Sequence, residues 1–126
     1  MELPEHDISI EVKVSFMAEQ SVPDAGHYVF AYEILLTNRG HTGARLLSRY
    51  WHITDGQDRV QEVRGEGVVG EQPYLAPGSS YRYSSGAILP TPVGRMQGSY
   101  RLIDDHGASF ELAIPAFTLA VPRTLH

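Results

Sequence analysis

Cysteine is absent from the 126-residue chain. Disulfides, thiolate metal sites and cysteine nucleophiles are therefore excluded, and the composition suits a reducing compartment. Basic residues are scarce, ten lysines and arginines against fifteen aspartates and glutamates, for a net charge of −5. A nucleic-acid backbone is repelled by that balance unless the fold gathers a basic patch. Arg39, Arg45, Arg49, Arg59, Arg64, Arg82, Arg95 and Arg101 are scattered singly along the chain, so nucleic acid is not an expected partner. No apolar run approaches the roughly 20 residues that span a bilayer, so no membrane insertion is expected and the chain cannot itself be a channel or pump. The N-terminal "MELPEHDISI" is acidic and carries a proline, unlike the basic start and apolar run of a secretory signal. A cytoplasmic protein is expected. Sustained helical periodicity is missing too: nowhere do apolar residues hold a helical spacing for the length of an ordinary helix.

Period-two alternation is present instead. With 42% hydrophobic and 20% charged residues, residues 1–126 make one ordinary globular domain. Ile8, Ile10, Val12, Val14 and Phe16 alternate with Ser9, Glu11, Lys13 and Ser15, which predicts a strand with one buried face. Tyr28, Phe30, Tyr32, Ile34 and Leu36 repeat the pattern in "YVFAYEILLTN", before the turn chemistry of "NRGHTG". "ARLLSRYWHIT" places Leu47, Trp51 and Ile53 on one face and ends at Asp55 and Gly56, a hairpin signal. Further strands are expected in "RVQEVR", "SYRYSSGAIL", "GSYRLID", "SFELAIP" and "FTLAV". About seven or eight short strands separated by turns predict an all-β, antiparallel two-sheet sandwich of the immunoglobulin-like or fibronectin type III kind.

In "LAPGSSYRY" a proline–glycine turn precedes an aromatic residue at the start of a strand, as in the tyrosine corner of such sandwiches. Tyr81 is accordingly expected to lock the corner through a hydroxyl bond to backbone. Trp51, the single tryptophan, is expected in the core.

Gly65 to Gly70, "GEGVVG", matches the G-x-G-x-x-G pattern that cradles dinucleotide phosphates. That chemistry needs a helix opening directly after the glycines, whose N-terminal N–H groups hold the anion. Here "EQPYLAPG" follows, and Pro73, Pro77 and Gly78 preclude a helix. Glu62, Glu66 and Glu71 surround a single basic residue, Arg64, where an anion would have to sit. The structural alternative is that Gly65, Gly67 and Gly70 supply positive φ or close backbone approach in a connection between strands. A loop held by a rigid sandwich is also where such folds bind partners. Arg64, Gly65, Gly67 and Gly70 are therefore the candidate ligand-binding residues, for a protein partner or an anion.

Other chemistry is sparse. His6, His27, His41, His52, His106 and His126 show no metal-ligand spacing and are expected as loop or surface residues. Asp55, Asp58, Glu62 and Glu66 form the one carboxylate-rich run, expected as a solvated hairpin with at most weak affinity for Mg2+. "DDHG" at Asp104 to Gly107 fits a hairpin with Gly107 in the left-handed position. Ser84 and Ser85 lack a nucleophile-elbow context. No catalytic residue, metal site or cofactor is expected.

The segment Glu62 to Leu102, "EVRGEGVVGEQPYLAPGSSYRYSSGAILPTPVGRMQGSYRL", closely resembles the ApaG family. "LLSRYWHITD" (Leu47 to Asp55) and "IPAFTLAVP" (Ile114 to Pro122) are in register with it. The resemblance implies a fibronectin type III-like sandwich and a bacterial cytoplasmic protein linked to cobalt resistance and magnesium efflux. Similar domains appended to eukaryotic F-box proteins and to a protein that interacts with DNA polymerase delta imply a protein-interaction module. The expectation is a non-enzymatic interaction domain with an unknown protein partner, as monomer or homodimer. The alternative is an anion, pyrophosphate or nucleotide binder using the backbone N–H groups of residues 64–70.

Overall fold

Period-two alternation is realised as strands throughout. The computed structural model describes residues 5–122; His126 and the first four residues of the acidic N-terminal stretch lie outside them. Strand β1 runs Ile8–Phe16, β2 Tyr28–Asn38, β3 Ala44–Asp55, β4 Val60–Glu66, β5 Tyr74–Leu75, β6 Ser80–Leu89, β7 Val93–Asp104 and β8 Ser109–Ala120. They pair antiparallel into a three-stranded sheet, β1-β2-β6, and a second sheet ordered β4-β3-β7-β8, in which β5 continues the β4 edge along β3. This is the all-β sandwich that the alternation predicts.

The inner faces meet in one core. Phe30, Tyr32, Ile34 and Leu36 from β2 face Leu46, Trp51 and Ile53 from β3, with Met96, Tyr100 and Leu102 from β7. Trp51 is 2% exposed and lies edge-on to Tyr32, Tyr100 and Phe117. A fully buried side chain of this kind contributes roughly 1.5–3 kcal/mol through the area it removes from water.

Three expectations are corrected. Leu46, not Leu47, enters the core, because a bulge between Leu46 and Ser48 shifts the register and turns Leu47 aside. "SFELAIP" and "FTLAV" are one strand, β8. Its Pro115 is tolerated because β8 ends its sheet and the β7–β8 register slips between Met96 and Gly98. Tyr81 does not make the backbone bond of a tyrosine corner; its hydroxyl donates to Glu71 Oε2 at 3.0 Å. From the sheet-edge strand β6 it reaches across to a loop of the other sheet. The proline–glycine turn itself is present, with Gly78 at φ 82° and Ser79 N–H bonded to the Ala76 carbonyl.

The chain crosses between sheets at Asn38, the buried last residue of β2. Its Nδ2 donates to the carbonyls of Thr42 and Leu75 at 3.0 Å, and its Oδ1 accepts from Gly40 N–H. Its own N–H and carbonyl pair with Ser79 and Gly78. One residue thus ties the β2–β3 crossover, β5 and the proline–glycine turn. Replacing Asn38 by alanine strands buried backbone groups, so Asn38→Ala is expected to lower unfolding free energy by about 3 kcal/mol in urea denaturation.

Candidate functional site

The glycine segment is a strand end followed by a tight hairpin. Arg64, Gly65 and Glu66 belong to β4, paired with Tyr50, Arg49 and Ser48. Gly67 then leaves the ladder at φ 61°, its N–H donating to the carbonyl of the bulge residue Leu47 at 2.7 Å. Val68 and Glu71 exchange two backbone bonds across Val69 and Gly70, both at positive φ (47° and 79°). That is a two-residue turn of the I′ kind. No helix follows the glycines; β5 does.

The conformations account for the motif. Gly65 leaves the space that Arg49 fills: a Cβ there would stand 2.7–2.8 Å from the guanidinium, the movable end of the Arg49 side chain. Arg49 Nη1 instead lies along the strand and donates to the carbonyls of Glu66 (3.2 Å) and Gly67 (2.9 Å). A Cβ on Gly67 would collide with the Glu71 carbonyl. The two valines divide their labour. Val68 is wholly buried and anchors the hairpin, whereas Val69 is 61% exposed at its tip. A β-branched residue at positive φ is an outlier that costs roughly 1–3 kcal/mol, tolerated only where surroundings hold it.

Sequence candidates are therefore divided by the fold. Arg64 and Gly65 line an open groove of about 660 Å³ on the larger sheet, together with Ser48, Ser99 and Arg101. Gly67 and Gly70 shape the hairpin. Gly67 and Val68 N–H, two of the donors that a backbone nest over residues 64–70 would use, are occupied by Leu47 and Glu71.

The hairpin stands beside the open side of the sandwich. β1 packs against β8, whereas β4 and β6 end their respective sheets facing one another. A cleft of about 340 Å³ opens between them, lined by Tyr32, Arg49, Trp51, Val63 and Met96. Val60 on β4, Tyr74 on β5 and Ile88 on β6 are all at least 45% exposed, the first two on the outer face of the larger sheet and Ile88 on that of the smaller. Deeper in, the hydroxyls of Tyr83 and Tyr100 bond to each other. Burial pushes both phenols well above their ordinary range, with Arg49 pulling weakly the other way, so neither is ionised near neutrality.

The carboxylate and histidine expectations change. Asp55 is not solvated: it is buried, and its Oδ1 accepts from Gln57 and Arg59 N–H while Oδ2 meets Arg59 Nε at 2.9 Å. Burial alone would raise its pKa; these bonds prevail and lower it. His6 is not an isolated surface residue. Its ring stacks on Phe110 and its Nε2 lies 2.9 Å from Oδ2 of buried Asp104. With Glu5 these residues bring three ligand atoms within 4.8 Å of one another. A divalent ion there would displace the His6–Asp104 bond that already fills the position. The 98-residue separation hid this group from any spacing rule. Gly107 takes the left-handed position expected in the neighbouring turn, with φ 83°.

The family model of the ApaG domain matches residues 18–104. Protein ApaG of Thiobacillus denitrificans is 56% identical over 121 residues, covering 96% of this chain and 95% of that one. Protein ApaG of Aromatoleum aromaticum is 55% identical over 125 residues, covering 99% and 98%. The crystal structure of a Bordetella pertussis protein named ApaA superposes with a TM-score of 0.93 at 49% identity, covering 97% of this chain and 99% of that chain.

Two measurements check the site. Gly65→Ala should cost about 1 kcal/mol by displacing Arg49 from its carbonyls, although alanine is ordinarily the better strand residue. In an Arg49→Ala background the same change should be neutral or stabilising, which a double-mutant cycle reads directly. The second concerns Asp104, whose pKa is lowered by the His6 bond, against burial, with help from Ala108 and His106 N–H. A lowered folded pKa contributes stability that is complete above the ordinary value of 3.8 and drains as pH falls through the folded value. Asp104→Asn should flatten this acid limb in thermal melts taken from about pH 6 downward, the difference appearing as pH falls to and below 3.8.

Proposed function

The chain belongs to the ApaG domain family, and from that premise we propose that it is a non-enzymatic protein-interaction domain. In this reading it serves divalent-cation homeostasis in the bacterial cytoplasm, influencing cobalt resistance and magnesium efflux through a protein partner. No helix among the described residues is long and apolar enough to cross a membrane. The observation that carries the proposal is Val69, an exposed apolar side chain held at φ 47° on the tip of a hairpin that the core anchors through Val68. Asparagine followed by glycine is the favoured pair for this turn. A valine there sacrifices folding stability, and strain kept at an exposed tip points to contact with something else.

The surroundings suit a partner. Val60 and Ile88 stand exposed on β4 and β6, two terminal strands whose outer backbone groups are available for pairing. An extended segment of a partner could add to β4 or β6 and place apolar side chains in the cleft between them. The cation-homeostasis component rests on the family resemblance alone. The alternative, nucleotide or anion binding by the backbone of residues 64–70, is weaker because Gly67 and Val68 N–H are already bonded within the protein.

Val69→Asn separates folding from recognition. The variant should be at least as stable as the parent, by up to about 1 kcal/mol, since the turn gains its preferred residue. Affinity capture from the native host under cobalt stress should recover a protein with the parent chain and lose it with Val69→Asn. Equal recovery by both chains would contradict the proposal.

A further inference from the structure

The groove on the larger sheet holds a feature that partner recognition does not use. Directly paired residues of an antiparallel sheet point to the same face. Glu66, Ser48 and Arg101 form one such row, and Arg64, Tyr50 and Ser99 the next. Arg64 on β4 and Arg101 on β7 thus flank Ser48 and Ser99. The two strands are separated by the single intervening strand β3, a distance of about 10 Å that two arginine side chains can bridge toward a common point.

Both arginines keep donors free. Arg64 is fixed by stacking: its guanidinium lies over Tyr50, 4.4 Å from the ring centroid, an arrangement that orients the group without using its in-plane N–H donors. The Tyr50 hydroxyl is itself held by Glu62 at 2.8 Å. The nearest carboxylates engage the arginines only loosely, Arg64 with Glu62 at 3.5 Å and Arg101 with Glu111 at 3.8 Å, each through one exposed contact. These distances lie beyond those of charge-assisted hydrogen bonds. The hydroxyls of Ser48 and Ser99 have no hydrogen-bond partner among the described residues. Arg64 and Arg101 share this outer face with Glu62, Glu66 and Glu111, so the site rests on the free donors of the two guanidiniums and not on a net positive field.

We infer that this groove is a phosphoryl-anion site, in which Arg64 and Arg101 clamp a phosphate or pyrophosphate group over the hydroxyls of Ser48 and Ser99. The donors are side chains on strand faces, and no glycine-loop N–H is involved. The inference goes beyond the protein-partner proposal and stands or falls separately from it.

Titration of the full-length protein at constant ionic strength, followed by amide shifts and calorimetry, tests it with inorganic phosphate, pyrophosphate, ATP and adenosine as probes. Saturable shifts at Ser48, Arg64, Ser99 and Arg101 are expected with pyrophosphate and ATP, weaker ones with phosphate, and none with adenosine. ATP and pyrophosphate binding alike places recognition in the phosphoryl group. ATP binding much more tightly shows the source to be a nucleotide seated on the same clamp. Arg64→Ala and Arg101→Ala should each weaken pyrophosphate binding by about tenfold or more, the scale of one charge-assisted contact. Arg95→Ala, outside the groove, should leave it unchanged. Absence of saturable pyrophosphate binding, binding of adenosine, or equal weakening by Arg95→Ala would overturn the inference. All three arginines are exposed, and amide spectra of each variant verify that the fold is retained.

Discussion

The packing of one guanidinium against one missing side chain organises the candidate site. Arg49 sits on the inner side of β3, a position that would otherwise bury a charge between the sheets. It escapes by turning along β4, where Gly65 leaves the space, and bonds the carbonyls of Glu66 and Gly67. The two carbonyls mark the point where β4 ends and the hairpin begins. From there Gly67 bonds the bulged Leu47, Val68 drops into the core, and Tyr81 of the opposite sheet meets Glu71. A bulge, a glycine, an arginine and a tyrosine from two sheets therefore fix the same short segment.

This arrangement changes what the glycine pattern means. G-x-G-x-x-G in a nucleotide-binding fold brings backbone toward phosphate. Here the first glycine brings backbone toward arginine, the second toward the Glu71 carbonyl, and the third completes a turn. Glycine answers the same geometric need in both settings, and the chemistry differs because no helix follows. The basic groups that could meet an anion are instead on the outer strand faces, where Arg64 is stacked on Tyr50.

Much of the fold was legible because alternation is a local property. Ile8 to Phe16 and Tyr28 to Leu36 name their buried faces without outside help, and Pro77–Gly78 names its turn. Leu47 misled because a bulge reverses parity without any marker in composition. Pro115 misled because its tolerance depends on β8 lying at a sheet edge. The candidate site was half legible: Arg64 and the three glycines stand together in sequence, and their turn chemistry pointed to a structural role. Arg49, Arg101 and Ser99 are brought alongside only by strand register, and His6 meets Asp104 only through tertiary packing. Nothing local distinguishes them from other scattered polar residues.

In the proposed function, the β4–β6 side, with Val69 at its corner, is the face that meets a partner. Photo-crosslinking in the native host tests it most directly, with a photoreactive residue placed at Val69 or Ile88 and, for comparison, at Glu11 on the opposite edge. A discrete crosslinked species from Val69 and Ile88 but not from Glu11 is the predicted result. Crosslinks from Glu11 alone, or the same pattern from all three positions, would contradict the account.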